Sequence, residues 1–100
     1  MDRSTALSIL KRNEATLRQL GVTSLSVFGS TARDDADDQS DIDVAVKFVP
    51  GPRGFARVKR TELLRHQLAR LLGRNVDLIE EPARSPRVQR AIQRDRLVAF

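Results

Sequence analysis

Two aspartates one residue apart, Asp41 and Asp43, open a segment of alternating character, Asp41-Ile42-Asp43-Val44-Ala45-Val46. On a strand, residues two apart project from the same face about 7 Å apart, so this pair meets on one patch. Carboxylates that close repel each other, and both stay charged only beside something positive. A hard divalent cation meets that need; Mg²⁺ is commonly held by carboxylate oxygens, with substrate phosphates completing its shell. Asp77 offers a third carboxylate. It lies mid-strand between Val76 and Leu78, and if those two face the core, Asp77 faces the side of Asp41 and Asp43. Three carboxylates from two strands are enough for two metals, one holding a triphosphate and the other activating an attacking hydroxyl.

Gly29-Ser30 adds a phosphate site. A glycine that closes a strand and opens a helix lets a phosphate approach the backbone, and the helix start offers free N–H groups and a positive dipole end. The Ser30 hydroxyl can bond a phosphate oxygen, and Arg33, one turn on, can reach the same group. Each piece alone is commonplace: Gly-Ser is usually a turn, Asp-x-Asp is usually a cap or surface charge, and a lone strand aspartate usually marks an exposed edge. Their order along one chain is far rarer. Other polar residues read more plainly. His66, the only histidine, suits a structural place mid-helix. Lys47 points to the carboxylate face as a phosphate contact or an edge lysine, and Glu80 and Glu81 look like loop charge.

These residues need a scaffold. Ser4 to Leu20 reads as one amphipathic helix, with Leu7, Leu10, Leu17 and Leu20 on one side, Ser4 as N-cap and Gly21 at its end. Val22 to Phe28 is a strand, Thr31 to Ala36 a short helix, and Asp34 to Ser40 a solvated acidic turn. Ile42 to Val49 is the clearest strand, with Ile42, Val44, Val46 and Phe48 on the face away from the aspartates. Pro50 to Gly54 is a loop. Phe55 to Leu72 is the longest helix, its buried stripe expected at Phe55, Val58, Leu64, Leu68, Leu71 and Leu72, with Gly73 ending it. Asn75 to Glu80 is a third strand, Ser85-Pro86 starts a helix running to about Asp95, and Leu97 to Phe100 is a short final strand. This order predicts an α/β (α+β) fold: a small mixed sheet covered on one face by helices, with the aspartates on the other.

Composition sets the bounds. A chain of 100 residues buries a single core, so residues 1–100 are expected to form one domain with no second, acceptor-shaping one. There is no cysteine, which excludes disulfides and thiolate metal sites. No apolar run reaches membrane-span length, and no signal-peptide layout is visible, so a cytoplasmic protein without membrane contact is expected. The net charge of +5 is uneven: six aspartates crowd into residues 34–43, while arginines dominate after Arg53. An acidic pocket beside a basic surface suits a metal–triphosphate site and an acidic partner.

Gly29-Ser30, ten intervening residues and then Asp41-Ile42-Asp43 resembles the signature of the nucleotidyltransferase superfamily that includes DNA polymerase beta. With Ala32-Arg33 after the serine and Ser40 before the first aspartate, it is similar to the minimal nucleotidyltransferase (MNT) domains, and the likeness spans nearly the whole chain. The resemblance implies that Gly29 and Ser30 hold the triphosphate of ATP, that Asp41 and Asp43 bind Mg²⁺, two ions in all, and that Asp77 joins the metal site and helps deprotonate the acceptor. It further implies an antitoxin that transfers AMP from ATP to a tyrosine hydroxyl of a HEPN-domain ribonuclease toxin, an activity that would bring the two into a hetero-oligomer. One position departs: the family often has glycine after the arginine, and here Asp34 changes a turn and adds negative charge. Two other readings stay open, an antitoxin acting by contact alone and a small-molecule nucleotidyltransferase. Template-directed work on nucleic acid is disfavoured, although the arginine-rich helices leave non-specific RNA contact open.

Overall fold

A computed structural model describes residues 1–100. In chain order the elements are α1 (Arg3–Arg12), α2 (Glu14–Gln19), β1 (Val22–Phe28), α3 (Gly29–Ala32), β2 (Ile42–Phe48), α4 (Phe55–Leu72), β3 (Val76–Glu80), α5 (Pro86–Asp95) and β4 (Leu97–Val98). The four strands form one sheet in the order β3-β2-β1-β4. β1 runs antiparallel to β2 and β4, while β2 and β3 are parallel, so the sheet is mixed, as expected.

Alternation along β2 decides which face the helices take. Ile42, Val44 and Val46 are buried against Leu25 and Val27 of β1 and against Ala6, Leu10, Leu17, Leu64, Leu68 and Leu72 from α1, α2 and α4. A strand places successive side chains on opposite faces, so Asp43 and Ala45 look the other way. That second face is not bare. α5 lies on part of it, with Ile92 packed on Phe28 and Ala45. Beneath this helix Arg96 binds Glu81 through both guanidinium ends and donates to the Ser26 hydroxyl at 3.0 Å, and Gln89 donates to Glu81 at 3.1 Å. Glu81, expected as loop charge, is thus a buried member of an ion pair; Glu80 pairs with Arg57.

Three local expectations change. The N-terminal helix breaks at Asn13, whose side-chain amide takes the Ile9 carbonyl at 2.7 Å while its N–H bonds Leu10 instead; asparagine competes with the helix for its own acceptors. The helix is capped by Asp2, not Ser4: the Asp2 carboxylate accepts from the Thr5 N–H at 2.8 Å. Phe55 and Val58, expected in the core, are 92% and 60% exposed. They sit on the first turns of α4, where residues 55–59 are all exposed, on the side of β3, which is an edge strand.

Two helix boundaries follow their signals, and that of α3 shifts. Gly73 ends α4 in the left-handed conformation, φ 65°, its N–H on the Ala69 carbonyl at 2.8 Å. The Ser85 hydroxyl caps α5 by accepting from the Val88 N–H at 3.3 Å, with Pro86 in the first turn. α3 covers Gly29–Ala32 rather than residues 31–36, because Asp34 turns the chain left-handed at φ 63°. No helix is long and apolar enough to cross a membrane.

Candidate active site

The end of β1 and the starts of β2 and β3 lie side by side. Asp43 is opposite Phe28 of β1 on one flank and opposite Asp77 of β3 on the other. Neighbouring strands are about 4.8 Å apart, so Asp43 and Asp77 are close neighbours on one face, and Asp41 stands two residues before Asp43. The sheet register therefore brings the three predicted carboxylates to one corner.

Gly29 follows Phe28 directly and has a job the sequence did not reveal. Its φ is 71°, and a Cβ on it would lie 2.1 Å from Oδ2 of Asp43. The missing side chain makes the space in which that carboxylate lies. Asp43 is half-buried, whereas Asp41 and Asp77 are exposed. Burial, then Asp77, then Asp41 push the Asp43 carboxyl up to about 6, while Arg33 acts in the opposite sense. The side chains do not converge into a ready coordination cage of three ligands. A donor set made only of carboxylate oxygens fits a hard divalent ion.

The loop before β2 is fixed from one place. Arg74 donates from Nη2 to the Ser40 carbonyl at 2.5 Å and to that of Asp37 at 3.4 Å, and the Ile42 N–H donates to the Asn75 carbonyl at 2.9 Å. Both backbone neighbours of Asp41 are thus tied to residues 74 and 75, which lead straight into the strand of Asp77. Asp37 stiffens the same loop by accepting from the Gln39 N–H at 2.8 Å and the Ser40 hydroxyl at 3.1 Å; these bonds, led by that of Gln39, hold its carboxyl below the ordinary range. No sequence signal marked Arg74 or Asn75, because backbone carbonyls leave no trace in side-chain patterns.

Ser30 lies in the first turn of α3, half-buried, where N–H groups have no partner inside the helix. Arg33 caps that helix at its other end. Its guanidinium binds Asp35 at 3.2 Å and Asp95 of α5 at 2.7 Å, contacts that hold it charged. It is beside the site but already engaged by carboxylates. Lys47 sits four residues along β2 from Asp43, about 13 Å away at strand spacing, too far to share a phosphate. His66 is exposed on α4 and nearest to Glu62 at 3.9 Å.

The corner geometry, with a glycine turn against paired carboxylates on a mixed sheet, is that of a nucleotidyl-transferring enzyme. The chain belongs to the nucleotidyltransferase domain family, whose model matches residues 8–99. It is 34% identical over 89 residues to the protein adenylyltransferase MntA of Thermococcus cleftensis, covering 88% of this chain and 86% of that one. A solved structure described as a "putative minimal nucleotidyltransferase" superposes with a TM-score of 0.77 at 29% identity, covering 97% of this chain and 95% of the other. The fold also matches a chain of the Shewanella oneidensis complex between a tri-AMPylated HEPN toxin and its MNT antitoxin, with a TM-score of 0.58 and 20% identity over 89% of this chain and 70% of that one.

Proposed function

We propose that this chain is a Mg²⁺-dependent protein adenylyltransferase that moves AMP from ATP to a tyrosine hydroxyl of a HEPN-domain toxin, silencing it. The observation that carries the reading is the pairing of Asp43 with Asp77 across β2 and β3, with Gly29 making room for the Asp43 carboxylate. The adenylyltransferase name of a 34%-identical relative supports the reaction, and the toxin–antitoxin complex sharing this fold supports the partner.

Asp41, Asp43 and Asp77 are the residues that would hold Mg²⁺. When bound, the metal supplies charge for the triphosphate and lowers the pKa of an attacking hydroxyl. The chain's own part is orientation. The backbone N–H groups of α3 and the Ser30 hydroxyl receive the phosphates, with Arg33 a neighbouring positive charge. The tyrosine oxygen forms a bond to the α-phosphorus, the bond to the pyrophosphate oxygen breaks, and pyrophosphate leaves. Asp77 is the side chain assigned to assist removal of the tyrosine proton. Holding donor and acceptor in line supplies most of the acceleration in such transfers.

The test is transfer of radiolabel from α-labelled ATP to the purified partner in Mg²⁺. Label on the partner, lost with Asp43→Asn and with replacement of the acceptor tyrosine by Phe, is the expected result. Neutralisation of the toxin by Asp43→Asn protein, with no label transferred by either form, overturns the reading in favour of inhibition by contact.

A further inference from the structure

The aspartate corner is built on the starts of the parallel strands β2 and β3, and their carboxyl ends lie at the opposite side of the sheet. A cavity of about 460 Å³ opens at those ends, between the loop from Pro50 to Arg53 and the first turns of α4. Its volume is in the range of small-molecule sites. Lys47, Arg53, Arg57 and Arg60 line it together with Glu80 and Glu81.

Both carboxylates are already matched. Glu80 pairs with Arg57. Glu81 is held by Arg96 from beneath α5, and Lys47 acts on it from beyond ion-pair distance. Lys47, Arg53 and Arg60 have no ion-pair partner of their own. Once the pairs are set off, the charge facing the cavity is positive.

Arg60 is held in place for a ligand. Its Cζ stacks 4.1 Å from the centroid of the Phe48 ring, and its Nη1 donates to the Val49 carbonyl at 3.2 Å. Gly51 lets the loop close on this guanidinium: a Cβ there would stand 2.9 Å from Nη1. The bond to Val49 is the only hydrogen bond of the side chain, so most of a rigid fork of five donors is unused. Two buried side-chain polar atoms in the chain lack a hydrogen-bond partner, Nε of Arg60 and Oε1 of Glu80, and both residues line this cavity. One is a donor and the other an acceptor, so the cavity is short of both an anion and a hydroxyl.

We propose that this cavity binds a phosphate monoester that carries a free hydroxyl, the chemistry shared by sugar phosphates and nucleoside monophosphates. A phosphate dianion has enough oxygens and charge to meet Lys47, Arg53 and the free fork of Arg60 together. A single carboxylate would leave part of that charge unanswered. The sugar hydroxyl supplies the donor that Glu80 lacks. Lys47 and Asp43 lie too far apart on β2 to share one phosphate, so this site is separate from the aspartate corner and stands or falls independently of adenylyl transfer.

The test is titration calorimetry of the full chain with ribose 5-phosphate, in EDTA so that no metal occupies the aspartates. Saturable binding is expected, tighter than that of methyl phosphate, which lacks the hydroxyl, and absent with ribose. The exposed double variant Lys47→Gln/Arg53→Gln should weaken it at least about tenfold, the loss of charge-assisted hydrogen bonds. Arg60→Gln should do the same, and a thermal melt of each variant checks that the fold persists. Asp43→Asn should bind as the parent does. AMP binding as tightly as ribose 5-phosphate supports the proposal with nucleotides as the source, and weaker AMP binding supports it with free sugar phosphates. No binding, equal binding of sulfate, or binding lost with Asp43→Asn but kept by the Lys47→Gln/Arg53→Gln protein overturns it. So does an oligonucleotide that binds these residues and that ribose 5-phosphate fails to displace.

Discussion

The carboxylate of Asp43 lies where a side chain on residue 29 would be: a Cβ on Gly29 would stand 2.1 Å from its Oδ2. The two residues are therefore one design. The glycine turn that closes β1 also sets the position of the central carboxylate of β2.

Gly29→Ala is expected to displace Asp43 and to lower AMP transfer by at least about a hundredfold, the cost of a misplacement on the order of 1 Å. Placing a side chain at φ 71° also costs about 1–2 kcal/mol of stability. Single-turnover rates and urea unfolding separate the two effects. A Gly29→Ala protein with unaltered transfer contradicts the packing of these residues.

Arg74→Ala releases the Ser40 carbonyl and so the backbone before Asp41. Metal-site supporting residues of this kind cost about 10–100-fold in affinity or activity. The expected outcome is a loss of that order in Mn²⁺ affinity, measured by titration calorimetry with the ATP analogue present. Exchange at the Ile42 amide, bonded to the Asn75 carbonyl, should quicken, with the melting temperature changed far less. Arg74→Lys, which retains a donor, should recover part of the loss. Unchanged metal affinity in both variants refutes the positioning role.

Asp34 is the one non-glycine residue with positive φ, 63°, at the place where the family pattern often has glycine. Asp34→Gly should raise stability by up to about 1 kcal/mol as the left-handed strain disappears. Asp34→Val should lower it by about 1–2 kcal/mol. Chemical denaturation of both variants reads the difference, and a valine variant as stable as the parent argues against this turn.

Glu81 gives the fold an acid limit. Its bond to Arg96, foremost, holds its carboxyl below the ordinary value of 4.5. A group whose folded pKa is depressed stabilises the fold above its unfolded pKa and loses that contribution as pH falls through the folded value. The stability supplied by Glu81 is thus present at neutral pH and fades below about 4.5. Glu81→Gln leaves the partly exposed Arg96 without its charge partner, at an expected cost of about 1.5–3 kcal/mol at pH 7, and it should flatten the acid side of the stability–pH curve. An unchanged acid slope contradicts the assignment.

Much of this was legible in the sequence because periodicity is local. The alternation from Ile42 to Phe48 gave both the strand and its aspartate face, and Gly73 and Ser85-Pro86 marked helix ends by their own backbone chemistry. What escaped is a side-chain bond that competes with the helix ladder, and otherwise non-local packing. The side-chain bond from Asn13 to Ile9 divides a continuous apolar pattern. Phe55 and Val58 obey the helical repeat of α4, yet the sheet has no further strand for them to cover. Glu81 reads as loop charge until Arg96, fifteen residues away, folds beneath α5. The pairing of Asp43 with Asp77 could be expected from their strands, but the sheet order that makes β2 and β3 neighbours is a property of the whole chain.

In the proposed reaction Asp41, Asp43 and Asp77 jointly seat divalent metal for nucleotide transfer. Crystals grown with Mn²⁺ and a non-hydrolysable ATP analogue, measured for anomalous scattering, test it directly. Manganese peaks within ligand distance of Asp43 together with Asp41 or Asp77, and phosphates over Gly29-Ser30, are the predicted result. Metal and triphosphate bound away from these aspartates, or a nucleotide seated there with no metal at saturating Mn²⁺, would contradict it.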